Sequence, residues 1–242
     1  MAVLAAGGVS PTKGRAADLL DALKAAANGR VLKVRTITTT SVFAKTAGAK
    51  FAWIRLFSGG GAGGGAVSTA TGNTAGGTGG SAGGMSEAYL PIESIDGQMI
   101  TIGAGGIGSP GLPGGNGNAS SIGSLIFVPG GNGGAVGTNA SPPWTIGETG
   151  NSATPTGGNI TNVPGASGSF SSSQSTGVVT SGRGGNSPVG TGGNSRGNSR
   201  GNGNAAVGFA AGGGGAVELS AGVGNLSGGP GAIGFCEIWE FA

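Results

Sequence analysis

Residues 51–65 read FAWIRLFSGGGAGGG, a strand-like heptad that runs without a break into polyglycine. Phe51, Trp53, Arg55 and Phe57 fall on one face of an extended chain and Ala52, Ile54 and Leu56 on the other, the period-two pattern of a half-buried strand. The glycines after it belong to a bias that pervades the chain, 60 of its 242 residues. Glycine has no side chain to pack, and it loses about 0.5–1 kcal/mol more than alanine on being ordered. A chain this rich in glycine is either disordered or built so that backbones lie directly against one another where nothing larger fits. Aromatic strands need a folded partner, so the junction at Phe57–Ser58 favours the second.

The C-terminus mirrors the quoted heptad. Ile233, Phe235, Glu237, Trp239 and Phe241 alternate with Gly234, Cys236, Ile238 and Glu240. Strands this aromatic at both ends of a glycine-rich body are expected to pair and close the domain. Upstream, VLKVRTITTT from Val31 and then Ser41-Val42-Phe43 also read as strands, with a turn at Thr46–Ala49. Residues 15–27 read as a short helix, because Ala16, Leu19, Leu20, Leu23 and Ala27 form one apolar stripe that stops at Asn28-Gly29. Leu19, Leu20 and Leu23 then either cover the adjacent sheet or join copies of the chain and attach it to a larger body.

Between the terminal strands the glycines fall in runs. Gly105, Gly108, Gly111, Gly114 and Gly117 recur every third residue, and GGTGGSAGG, GGNGGA, GGGG and GGPGAIG occur elsewhere. Three residues per repeat is the period of the polyproline-II helix, which makes no hydrogen bonds within itself. Several such helices side by side can satisfy each other's N–H and C=O groups, provided glycine stands wherever two backbones face. The expected fold is therefore irregular and all-β: a glycine-rich bundle of polyglycine-II helices flanked by short β-strands, with one short N-terminal helix. Residues 1–30 form a helical attachment or oligomerisation segment, 31–57 a β-strand region, and 58–242 a glycine-rich domain with rods, variable loops and a closing C-terminal strand. Met99–Ile102 and Leu125–Val128 read as strand elements entering the rods, and the polar stretches carrying Tyr89, Trp144 and Phe170 as loops between them. Collagen is excluded because the strict triplet register is short and only 11 prolines are present.

Charge and chemistry narrow the function. Nine of the twelve Lys and Arg lie in residues 1–55, and none falls in 56–182. The glycine-rich body is thus no polyanion groove, and the basic front end reads as solvation, with docking the alternative. The Arg183, Arg196 and Arg200 tract resembles an RGG segment, but it has no interleaved aromatic, so nucleic-acid binding is not expected. With no histidine and one cysteine, the commonest general base and metal ligand are missing; no catalytic residue, metal or cofactor is expected. Cys236 reads as a small buried hydrophobe. Glu93 and Asp96 are near enough for paired-acid chemistry but read as solvated loop charges. Gly103–Gly108 matches GxGxxG without a following helix pattern or an acid at the right distance, and the two GNSRG repeats match the nucleophile elbow without a histidine. No run approaches the length of a membrane span, and the opening MAVLAAGGVSPTKGR has no basic region before its apolar run, so neither membrane insertion nor a secretory signal is expected.

The order of features carries a resemblance: FAWIRLFSGGGAGGG, then Gly103-Ala104-Gly105-Gly106-Ile107-Gly108, then Ser120-Ser121-Ile122-Gly123 leading through Leu125–Val128 to GGNGG, and the closing GGPGAIGFCEIWEF. Residues 40–242 resemble the glycine-rich domain at the tips of bacteriophage tail fibres and the T-even-type distal fibre adhesins, whose polyglycine-II rods form a sandwich carrying variable loops. The resemblance implies a non-catalytic receptor-binding protein of the virion that attaches to an outer-membrane protein, a polysaccharide or a pilus on the bacterial surface. It also implies other tail-fibre or baseplate proteins as partners and a homotrimer, with a monomer capping a trimeric shaft as the alternative. Tyr89, Trp144 and Phe170 are then the candidate receptor anchors, since aromatics supply contact area at low entropic cost. The rival readings are a structural glycine-rich virion or surface protein without direct receptor binding and an ice-binding-type polyglycine-II protein. The varied residues at non-glycine positions, such as Thr78, Ser81, Ile107, Asn116 and Asn132, count against a regular ice-binding face.

Overall fold

The computed structural model describes residues 29–242. The expected helix over 15–27, with Leu19, Leu20 and Leu23, lies outside the described residues. Within them the chain is all-β, and its helical content is one four-residue turn. In chain order the first strands are β1 (Val31–Ile37), β2 (Ser41–Val42), β3 (Phe51–Phe57), β4 (Ala75–Gly76) and β5 (Met85–Pro91), followed by the turn α1 (Ile92–Ile95). Then come β6 (Met99–Thr101), β7 (Ser120–Ile122), β8 (Ile126–Val128), β9 (Trp144–Ile146), β10 (Thr161–Val163), β11 (Ser171–Ser175) and β12 (Val178–Thr180). The last four are β13 (Gly190–Thr191), β14 (Val207–Gly208), β15 (Val217–Glu218) and β16 (Phe235–Phe241).

The two ends of the chain meet as their alternation requires. β16 inserts between β1 and β3 in a five-stranded antiparallel sheet of order β1-β16-β3-β5-β10. Trp53 sits opposite both Trp239 and Tyr89, and Ile54 opposite Ile238 and Ala88. The inner face, with Ile54, Leu56, Cys236 and Ile238, is fully buried against a smaller sheet of order β2-β6-β7-β8 and against Ile92 and Ile95 of α1. Near the end of β16, between β1 and β3, Glu240 is fully buried, bonded by the Arg35 side chain and by the Thr46 N–H at 2.6 Å. Burial pushes its carboxyl up, but these hydrogen bonds outweigh the desolvation and hold it below its ordinary value.

The polyglycine that leaves β3 has no partner strand in the ordinary sense. From Gly59 to Val67 every consecutive N–H donates to another segment, at 2.9–3.1 Å. The acceptors rotate with a period of three. Gly59, Ala62 and Gly65 donate to Asn118, Gly115 and Leu112; Gly60, Gly63 and Ala66 donate to Ala232, Gly229 and Leu226; Gly61 and Gly64 donate to Ser81 and Thr78. The carbonyls rotate likewise. Those of Gly59, Ala62 and Gly65 accept from Gly131, Gly134 and Gly137, those of Gly61 and Gly64 from Gly213 and Ala216, and that of Gly60 from Gly106. Six segments therefore surround the one that begins at Ser58. The segment 77–84 repeats the scheme: Gly77, Gly80 and Gly83 donate to Ala216, Gly213 and Ala210, while Thr78 and Ser81 donate to Ala135 and Asn132.

This arrangement explains the glycine content. A Cβ built on Gly59 would lie 2.0 Å from the Ala104 carbonyl oxygen, one on Gly63 2.0 Å from that of Gly214, and one on Gly64 1.8 Å from that of Ala135. The obstacle is main chain, which has no rotamer with which to yield. Side chains that do occur here are small and put to use. Thr78 and Ser81 are fully buried, and their hydroxyls accept the N–H groups of Ala135 (2.7 Å) and Asn132 (2.6 Å).

Candidate aromatic and hydroxyl face

The segment leaving β3 runs from Ser58 to Ala66, and the next returns from Gly77 to Gly84, where β5 begins. β4, which precedes that return, therefore lies at the end of the glycine-rich body opposite the five-stranded sheet. There a three-stranded sheet of order β12-β11-β9 packs against β4. The Ser171 hydroxyl anchors it by donating to the Gly76 carbonyl at 2.7 Å.

Trp144 on β9 and Phe170 just before β11 line the same cavity, of about 440 Å³, together with Thr145, Ser172 and Gln174. The two aromatics contribute differently. Trp144 is half-buried: its Nε1 donates to Thr74 Oγ1 at 2.9 Å, and its ring edge closes over Gly76, where a Cβ would meet it at 2.9 Å. The Thr74 hydroxyl in turn donates to Ser173 at 3.0 Å and Ser173 to the Ser175 carbonyl at 3.0 Å, which fixes the cavity floor. Phe170 is 55% exposed, so its ring is the accessible one.

Strand alternation sorts the polar residues. Ser171 and Ser173 are buried toward β4, while Ser172 and Gln174, at the alternate positions, are turned to the outer side. Thr145 on β9 pairs with Ser172, and Ser172 pairs with Thr180 on β12, so three hydroxyls cross the sheet in one row. None of the three has a side-chain hydrogen bond to another described residue. The GSFSSSQS stretch was visible in the sequence, but nothing in it indicated that Thr145 and Thr180 would flank it.

Tyr89 stands elsewhere, and the loop reading of it is corrected. It lies on β5, where MSEAYLP alternates as a strand of the main sheet, and its ring stacks on Phe51 with centroids 5.3 Å apart. The Phe241 ring, on β16, is tilted against it with centroids 6.2 Å apart. It belongs to an outward-facing row with Trp53 and Trp239, whose rings lie 5.8 Å apart. The structure thus joins two of the three aromatic candidates and leaves the third at the opposite end.

Other sequence patterns take structural roles. Lys45 pairs with Glu93, and its N–H donates to Asp96 at 2.9 Å. Arg200 holds the fully buried Glu218 through its Nε at 2.8 Å and bonds the Val223 carbonyl, while the Arg196 guanidinium turns to the Asn202 carbonyl. Gly103–Gly108 is extended chain within the glycine-rich body, with no helix after it. Burial pushes the Cys236 thiol far above its ordinary value. Among the described residues no helix is long and apolar enough to cross a membrane. No protein-family model matches the chain, and no curated protein matches it.

Proposed function

We propose that this chain is the receptor-recognition tip of a bacteriophage tail fibre, a non-catalytic adhesin whose body is a bundle of polyglycine-II helices. The three-residue hydrogen-bond period, the six neighbours around 59–66 and the backbone-to-backbone approach at Gly59, Gly63 and Gly64 support the polyglycine-II assignment. Such a body satisfies its backbone within itself, so the loops it carries can vary without loss of the fold.

The observation that carries the functional reading is the separation of the molecule's two ends. Residues 1–28 join at β1, on the five-stranded sheet, whereas the Trp144–Phe170 cavity lies beyond the far end of the glycine-rich segments. Eight residues at ~3.1 Å each put roughly 25 Å between them. Attachment to fibre or baseplate proteins, and trimer formation, belong to the sheet end; host contact belongs to the far end. An outer-membrane protein, a polysaccharide or a pilus would then be met by Phe170 as the exposed ring, with the half-buried Trp144 lining the same cavity.

Binding of the purified chain to intact bacteria tests this reading. Phe170→Ala is expected to weaken adhesion at least tenfold while leaving the melting temperature nearly unchanged, since the ring is 55% exposed and absent from the buried core. Adhesion equal to that of the unaltered chain would remove this face from host recognition. A chain that adheres to no bacterium would remove the adhesin reading itself.

A further inference from the structure

The chemistry of the far-end face selects among receptor classes, a choice that rests on the recognition role proposed above. Phe170, Ser172 and Gln174 succeed one another on the outward side of β11, with Thr145 beside Ser172 on β9 and Thr180 beside it on β12. The three cross-strand partners are adjacent on one face of the sheet, with neighbouring side chains about 5 Å apart. Their hydroxyls, and the Gln174 amide, make no side-chain hydrogen bond to any other described residue. Among the described residues, no Asp, Glu, Lys or Arg lines the cavity. Arg196, whose carbonyl accepts from Ser181 just after β12, directs its guanidinium away to Asn202.

We infer that this face binds a neutral saccharide. A pyranose ring offers a C–H face that an exposed aromatic can cover and an edge of hydroxyls that both donate and accept. Ser, Thr and Gln side chains are the neutral groups that can likewise do both. A cavity of about 440 Å³ falls within the range of small-ligand sites. Phosphorylated or carboxylated glycans would leave an anion facing a site with no cation, which costs affinity wherever water is displaced. A protein receptor would call for a larger apolar centre than one exposed phenyl ring, a half-buried indole and Pro143 amid four polar side chains.

The purified full chain is tested on immobilised neutral oligosaccharides, built from hexoses and N-acetylhexosamines, alongside acidic ones. Binding is expected on neutral glycans alone and is expected to be unchanged between about 50 and 500 mM salt to within about twofold, because no counterion is released. Phe170→Ala and the paired Thr145→Val/Ser172→Ala variant are each expected to weaken it about tenfold with unaltered melting temperature. Both sites are solvent-facing, and valine suits a strand, so loss of binding would not reflect loss of fold. On intact bacteria, mild periodate oxidation of the cells should abolish adhesion and protease shaving should not. Binding confined to acidic glycans, or falling steeply with salt, would overturn the neutral chemistry. Adhesion that survives periodate, disappears on shaving and still depends on Phe170 would overturn the saccharide and leave recognition at this face standing. Adhesion indifferent to Phe170→Ala would take away the face as well.

Discussion

At the level of single residues, two glycines that look alike in sequence are opposites in space. A Cβ on Gly64 would come within 1.8 Å of the Ala135 oxygen, whereas one on Gly197 meets nothing within 4 Å and its φ is outside the left-handed region. Gly64→Ala is therefore expected to destabilise by about 3 kcal/mol, the upper range for overpacking, because two main chains must separate. Gly197→Ala should be neutral, or stabilising by up to about 1 kcal/mol through the less flexible unfolded chain. Denaturant midpoints of the pair measure the contrast directly. Glu240 makes a second prediction. Its carboxyl is held below the ordinary 4.5, so the folded state binds its proton less readily than the unfolded state. The stabilisation is present above pH 4.5 and is lost as pH falls through the folded value. Glu240→Gln should cost about 2–3 kcal/mol at neutral pH, the low end for a broken buried pair because Arg35 stays partly exposed. The gap between variant and parent should close as the pH of thermal melts is lowered below 4.5.

Among the elements, the glycine-rich segments differ from strands in how their hydrogen bonds are distributed. A strand sends alternate N–H groups to opposite sides, so an edge strand leaves half of them open to water. The segment from Gly59 to Ala66 sends consecutive N–H groups to three directions in turn, and none is open. Amide hydrogen exchange is accordingly expected to be slow at every residue from 59 to 66, with protection matching that of β3 and β16. Alternating fast and slow amides along this run would refute the six-neighbour arrangement. The five-stranded sheet shows the complementary case. Its pairing was legible because Phe51–Phe57 and Phe235–Phe241 repeat the same alternation, and burial of one face leaves only one register possible. MSEAYLP was harder to read, since its proline and its polar neighbours resemble a loop. Only the placement of Ala88 opposite Ile54 in the core makes it a strand.

On the scale of the whole molecule, the body hangs on contacts between residues far apart in the chain. β16 separates β1 from β3, and the segment 226–234 that leads into it is one of the six neighbours of 59–66. Deleting Phe235–Ala242 should therefore unfold the glycine-rich body together with the sheet, since Ile54 and Leu56 lose their cover and the bundle loses the anchor of one member. Circular dichroism and hydrogen exchange of the truncated chain would reveal it. Slow exchange persisting at 59–66 after the deletion would mean that the bundle stands without the sheet.

Composition and period alone determined that this chain is all-β between its terminal strands, that glycine serves backbone contact, and that Tyr89, Trp144 and Phe170 are unusual enough to single out. These are local properties: a missing side chain and a two- or three-residue repeat act on the chain wherever it goes. Which segments become neighbours was decided only in three dimensions, because one glycine run is chemically the same as another and any could fit beside any. The tertiary structure also set the aromatics apart, Tyr89 on the five-stranded sheet and Trp144 with Phe170 at the far end. Strand pairing brings Phe51 and Phe241 against the half-exposed Tyr89, while Phe170 stands beside the hydroxyls of Thr145, Ser172 and Thr180, gathered by hydrogen bonds among three strands that no local pattern links.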